Sequence, residues 1–196
     1  MSDPRPIYSS RPFFKTAKLY LQAGWLPIPL KVKDKSPASD GYTGKKNKYP
    51  SGSAEKQQFV KKFAKDPKVD KSANVGVWLS DQIIGVDIDD YADKDGKAKD
   101  GYAQYLDLAN GTNNAGHNPG LQELGPLPET WVSTARSDGK SGIRFFQIPR
   151  GLSWSGKAAS NIDIVQRGHR FAVVAPSVHP ELDGQQYRWY DPESWR

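Results

Sequence analysis

The sequence predicts a mixed α/β (α+β) domain, helical at the front and sheet-heavy behind. Three observations carry this. Two segments within the first 65 positions space their apolar residues as helices do, short apolar strands follow one another from residue 74 onward, and neither a linker nor an internal repeat separates the two halves. With 196 residues, six Trp, nine Tyr and seven Phe, the chain can bury a sizeable core as one domain or as two tightly joined modules.

Residues 11–23 (RPFFKTAKLYLQA) read as the first helix, with Phe13, Phe14, Ala17 and Leu21 on one face and Gly24 at the C-cap. The prolines of WLPIPL hold the next run extended. Residues 31–52 lack any period and read as loop. Ser53 can cap a second helix through about Lys65, turning Phe59, Val60 and Phe63 inward, with Pro67 ending it. NVGVWLS and IIGVDID read as two adjacent strands around the turn residues Asp81 and Gln82. A polar loop over 90–101, a helix over 102–109 and a turn-rich stretch over 110–128 come next. WVSTAR and IRFFQIP flank the hairpin turn SDGKSG, NIDIVQ and RFAVVAP flank Arg167-Gly168-His169, and QYRWY is a last short strand. Trp25, Trp78, Trp131 and Trp189 fall in strands or at strand ends, where core packing is the expected role.

Charge is distributed unevenly. Residues 1–71 carry 16 Lys+Arg against 6 Asp+Glu, a balance of +10, and the remainder carries 12 against 16, a balance of −4. A basic front suits a polyanion and an acidic rear suits cations, although a lysine-rich solvated face explains the first equally well. The absence of Cys removes disulfides, thiol catalysis and thiolate zinc sites. No apolar stretch is long enough to span a bilayer, and the N-terminus lacks a secretory run, so a soluble protein of the cytoplasm, without membrane contact, is expected.

The strand IIGVDIDDY carries Asp87 and Asp89 at i and i+2, on one face of the strand. Two carboxylates side by side at an apolar strand end repel, and a divalent cation between them removes the penalty. Oxygen donors and scattered His favour Mg²⁺ or Mn²⁺ over zinc. Asp163, between Ile162 and Ile164 in NIDIVQ, suggests a third carboxylate for the same cations, which is the set that phosphoryl transfer uses. The plain alternative is that these Asp residues end strands and face solvent, as expected of Asp90, Asp93 and Asp95. In SDGKSGIRFF, Lys140, Ser141 and Arg144 suit triphosphate binding, against an ordinary hairpin with an exposed Lys. His169 and Arg170 are placed to approach phosphate or template, or else to sit in an exposed turn. Lys45, Lys46 and Lys48, interleaved with Tyr42 and Tyr49, are the candidates for nucleic-acid binding.

Taken in order, the segments resemble the N-terminal primase-polymerase (prim-pol) domain of the archaeo-eukaryotic primase superfamily. GWLPIPL with Lys35-Ser36-Pro37 resembles its opening; NVGVWL with GVDIDD resembles the first catalytic motif; STARSDGKSGIRFF is similar to the nucleotide-binding hairpin. NIDIVQRGHRFAVVAPSVHP with YRWY resembles the third motif and its tail, which includes His179. The resemblance spans nearly the whole chain and implies a single prim-pol domain over residues 1–196, the front of a longer phage or plasmid replication protein, with phrasing closest to actinobacteriophage members. It implies an α/β module packed on an RNA-recognition-motif-like (RRM-like) module, with the active site in the cleft between them. It implies a template-directed nucleotidyltransferase in which Asp87, Asp89 and Asp163 hold two Mg²⁺ or Mn²⁺ ions. Lys140, Ser141, Arg144 and His169 would bind the nucleotide, and Arg144 would replace a His usual in the family. DNA template and primer, dNTPs or NTPs, and a helicase domain are the expected partners of a chain expected to be monomeric. The competing readings are a replication-initiator module that binds DNA without catalysis, a DxD glycosyltransferase, and a metal-dependent nuclease.

Overall fold

A computed structural model describes residues 11–38, 46–93, 95–113, 116–117 and 124–191. Pro12 occupies the first turn of helix α1 (Pro12–Gln22), where its missing N–H costs nothing. The helix ends in a Schellman arrangement, with Trp25 N–H donating to Tyr20 O and Gly24 N–H to Leu21 O. β1 (Leu26–Leu30) follows, every residue of it buried. The second helix, α2 (Ser53–Lys65), starts one residue earlier than the sequence suggests: Gly52 is its N-cap and Ser53 its first residue. Phe63 is buried, and Phe59 and Val60 pack partly against the core, while Lys61, Lys62 and Lys65 face out.

β2 (Asn74–Trp78) pairs antiparallel with β1 on one side and with β12 (Ala172–Val173) on the other, making a three-stranded sheet that carries α1 and α2. The chain then crosses to a second sheet. β3 (Ile83–Ile88) pairs with β9 (Gly142–Gln147) and β11 (Ile162–Val165), which corrects the expectation that NVGVWLS and IIGVDID are neighbours. Residues 90–101 are also more ordered than a polar loop, because β4 (Asp90–Ala92) and β5 (Ala98–Asp100) form a hairpin. Then come α3 (Gly101–Asn110), the short pair β6 (Thr112–Asn113) and β7 (Gly116–His117), and β8 (Val132–Thr134), which forms the expected hairpin with β9. With β10 (Lys157–Ala159) and β13 (Arg188–Tyr190), the large sheet has the order β10-β11-β3-β9-β8-β13, antiparallel throughout. Antiparallel pairing with helices on the outside makes the fold α+β.

The large sheet has two different faces because its side chains alternate. Val86, Ile88, Ile162 and Ile164 pack beneath Tyr102, Tyr105 and Leu108 of α3. Ile143, Phe145 and Val165 face the other way and share the main core with Val75, Val77, Ala172, Phe13 and Phe63. Trp78 is buried as expected, with its indole N–H donating to Arg167 O, but Trp131 is 53% exposed and belongs to no core cluster. Among the described residues no helix is long and apolar enough to cross a membrane.

Candidate active site

The crossing of the chain between the two sheets brings distant polar residues together. On the large sheet, Asp87 of β3 lies directly opposite Asp163 of β11 and, on its other side, Ile143 of β9. Cross-strand partners share a face, so both carboxylates stand on the side turned toward the small sheet. Asp89 follows just beyond the end of β3. Its N–H donates to Asn161 O at 3.0 Å and its carbonyl accepts Gly101 N–H at 2.9 Å.

A cavity of about 220 Å³ opens at this seam. Asp87 and Asp89 line it together with Lys35 from the loop after β1, Arg136 from the β8–β9 turn, and His179 and Tyr187 from the last segment. Burial, reinforced by the charge of Asp89, raises the Asp87 carboxyl to about 7, against the pull of Lys35. Burial in turn lowers the Lys35 ammonium below the usual lysine range, opposed by Asp87 and Asp89. His179 is 4% exposed and its ring stacks on Tyr187 with centroids 5.7 Å apart. Its Nδ1 accepts Glu181 N–H at 3.1 Å, so the neutral ring carries its proton on Nε2. Burial and the positive charges of Lys35 and Arg136 depress this imidazole to about 4. It is neutral at physiological pH.

Each of the other two carboxylates is already paired. Lys99 Nζ donates to Asp89 Oδ2 at 2.9 Å and to the Tyr91 hydroxyl at 3.0 Å. Partial burial acts against the Lys99 charge, but those two hydrogen bonds carry the ammonium above its usual range. The Tyr91 ring is flanked by Lys99 at 4.7 Å and the Arg136 guanidinium at 3.6 Å. Asp163, 7% exposed, receives Arg170 at 3.0 Å on Oδ2. Lys157 stands 3.1 Å from Oδ1, in ion-pair range but off the hydrogen-bonding line, so that buried oxygen has no aligned donor. Among the described residues no three His, Asp or Glu side chains stand in a metal-ligating arrangement. Asp163 stands beside Asp87 on the same sheet face but does not line the cavity, and Asp89 and Asp163 are turned to lysine and arginine.

The nucleotide-binding expectations change more. Arg144 pairs with Val86, not with Asp87, and so lies on the α3 face beside Tyr105 and Tyr102. Its guanidinium donates to Gly142 O and Lys140 O. The guanidinium groups that do line the cavity are those of Arg136, eight residues earlier, and Arg170. Gly142 sits at the cavity edge with φ +142°, where an added Cβ would come within 2.8 Å of Thr134 Cβ. Ser141 is buried in hydrogen bonds to Asp138 and Asp90, and Lys140 is exposed, 3.9 Å from Asp90 Oδ1. His169 lies outside the cavity, its Nε2 accepting from Arg170 Nε at 3.3 Å. Lys46 and Lys48 are exposed, and Lys45 lies outside the described residues. Sequence reasoning assigned no function to Lys35 or Arg136, although both stand in motifs that it singled out.

Two comparisons bear on identity. A comparison with curated proteins finds no match. The family model described as bifunctional DNA primase/polymerase, N-terminal (Prim-Pol) matches residues 17–195, nearly the whole chain, and encloses every residue of the cavity. The chain belongs to the Prim-Pol family of bifunctional DNA primase/polymerase N-terminal domains.

Proposed function

We propose that the seam cavity is the catalytic centre of a template-directed nucleotidyltransferase that extends DNA or RNA strands from dNTPs or NTPs in phage or plasmid replication. The observation that carries this reading is the cavity lined at once by Asp87 and Asp89 and by Lys35, Arg136 and His179, with Asp163 directly opposite Asp87 across β3 and β11. Carboxylates on one wall and cations on the others suit a divalent metal and a triphosphate at once. The two sheets, one carrying α1 and α2 and the other α3, support reading the chain as an α/β module against an RRM-like module.

The donor set fits Mg²⁺ or Mn²⁺. Asp87 and Asp89 are hard oxygen donors two residues apart, and the cost of ionising buried Asp87 is one that a cation would relieve. Asp163, with one oxygen lacking an aligned donor, is the natural third ligand. Bound there, the metal would activate the attacking 3′-hydroxyl and neutralise charge on the triphosphate. The chain's own residues do the rest. Lys35 and Arg136 hold phosphate oxygens, and Arg170 with Lys157 orients Asp163. His179 offers a neutral N–H donor whose protonation does not change near neutral pH. Lys99, paired with Asp89, would compete with a cation for that carboxylate.

Primer extension tests the reading: the chain, a labelled primer on a longer template, nucleotides and Mn²⁺ or Mg²⁺, beside an Asp87→Ala/Asp89→Ala control. Metal-dependent extension that disappears in the control is expected. A second reading, a DNA-binding module without catalysis, is favoured by the ion pairs that already neutralise Asp89 and Asp163. Tight template binding without extension under either metal would establish it.

A further inference from the structure

The SDGKSG turn has a use different from phosphate contact. Asp138 Oδ1 accepts the N–H groups of Lys140 and Ser141, both at 2.8 Å, and Oδ2 accepts the Ser141 hydroxyl at 2.7 Å. A serine has one proton to give, and the short charge-assisted bond to Asp138 takes it. A lone pair of Ser141 Oγ then accepts Asp90 N–H at 3.2 Å, with Asp90 O only 2.9 Å away as the competing acceptor.

The amide so held is the one joining Asp89 to Asp90. Its other end is fixed as well: Asp89 O accepts Gly101 N–H, Asp89 N–H donates to Asn161 O, and Asp90 Oδ2 accepts Tyr102 N–H at the start of α3. Asp89 lies beyond the last paired residue of β3, so the β3 ladder does not orient it. Four hydrogen bonds from three separate segments do so instead. Ser141 borders the cavity but is 3% exposed, and its hydroxyl is already engaged by Asp138 and Asp90.

We infer that Ser141, oriented by Asp138, is a positioning residue for Asp89, setting the geometry in which that carboxylate binds a divalent cation. The inference rests on the reading of Asp87 and Asp89 as metal ligands. It predicts that the hairpin acts on metal affinity, whereas a triphosphate contact would act on nucleotide affinity.

Mn²⁺ binding to the whole chain, followed by loss of the free-ion electron paramagnetic resonance signal, separates the two. Ser141→Ala is expected to weaken Mn²⁺ binding about tenfold, the low end for loss of an outer-shell partner. The KM for dNTP at saturating Mn²⁺ should move less than twofold. Exposed Asp138→Asn, which leaves the buried serine in place, should weaken Mn²⁺ in the same direction, and it serves as the test if Ser141→Ala fails to fold. Wild-type Mn²⁺ affinity in both variants, or a raised KM with unchanged Mn²⁺ affinity, would overturn the inference. A wild-type chain binding Mn²⁺ no better than Asp87→Ala/Asp89→Ala would overturn it together with the metal reading, and is distinguishable because the failure then appears before any hairpin substitution.

Discussion

Replacing Asp87 with Asn tests the electrostatics of the cavity directly. Burial and Asp89 raise this carboxyl from an ordinary 3.8 to about 7. In the folded chain it therefore keeps a proton between about pH 4 and 7 that the unfolded chain has released. Folded protein binding more protons means that stability falls as pH rises through this window, then levels off above pH 7. The full displacement corresponds to about 4 kcal/mol. Because Asp87 keeps part of its surface open to the cavity, screening reduces this to about 2 kcal/mol. Asn carries no such proton. Asp87→Asn should therefore be more stable than wild type by about 2 kcal/mol at pH 8, or roughly 4–8 °C in Tm, and by about four-tenths of that at pH 5. Urea denaturation at the two pH values measures the gap, and Mn²⁺ at pH 8 should raise the Tm of wild type alone. A gap of equal size at both pH values, or an Asn variant less stable at pH 8, would refute the reasoning.

Three further outcomes are expected. Lys99→Met removes the ammonium that competes for Asp89, a half-buried pair worth up to about 1 kcal/mol, so Mn²⁺ should bind up to about fivefold tighter; calorimetric titration showing weaker binding would count against the pairing as a competitor. At Gly101 an added Cβ would overlap Asp89 O and lie 2.7 Å from Asn161 O, so Gly101→Ala should cost about 1–3 kcal/mol by thermal melting and abolish extension. Lys61, Lys65 and Lys68 are exposed along and just beyond α2 with no acidic partner within 4 Å among the described residues. Changing all three to Glu should weaken template binding, with the slope of log affinity against log salt falling by about 1 for each phosphate no longer neutralised.

Much of the fold is legible in local sequence. The apolar spacing of 11–23 and 53–65 places α1 and α2 within a residue or two, and the turn between WVSTAR and IRFFQIP places the β8–β9 hairpin. Such elements are specified by residues close in the chain. The two-residue spacing of Asp87 and Asp89 likewise announces carboxylates on one side of a strand end. What sequence alone leaves open is which strand meets which. β2 and β3 are separated by four residues yet belong to different sheets, and β3 meets β11 about 75 residues later, a pairing settled by which apolar faces can be buried together. Sheet membership then decides the site. Because side chains alternate along a strand, β9 register sends Arg144 to the α3 face, while the β8–β9 turn delivers Arg136 to the cavity and the loop after β1 delivers Lys35. The chain's own residues thus determine that carboxylates and cations are present at strand ends. Only the tertiary packing of two sheets decides which of them face one another, because that depends on long-range registry that no local pattern encodes.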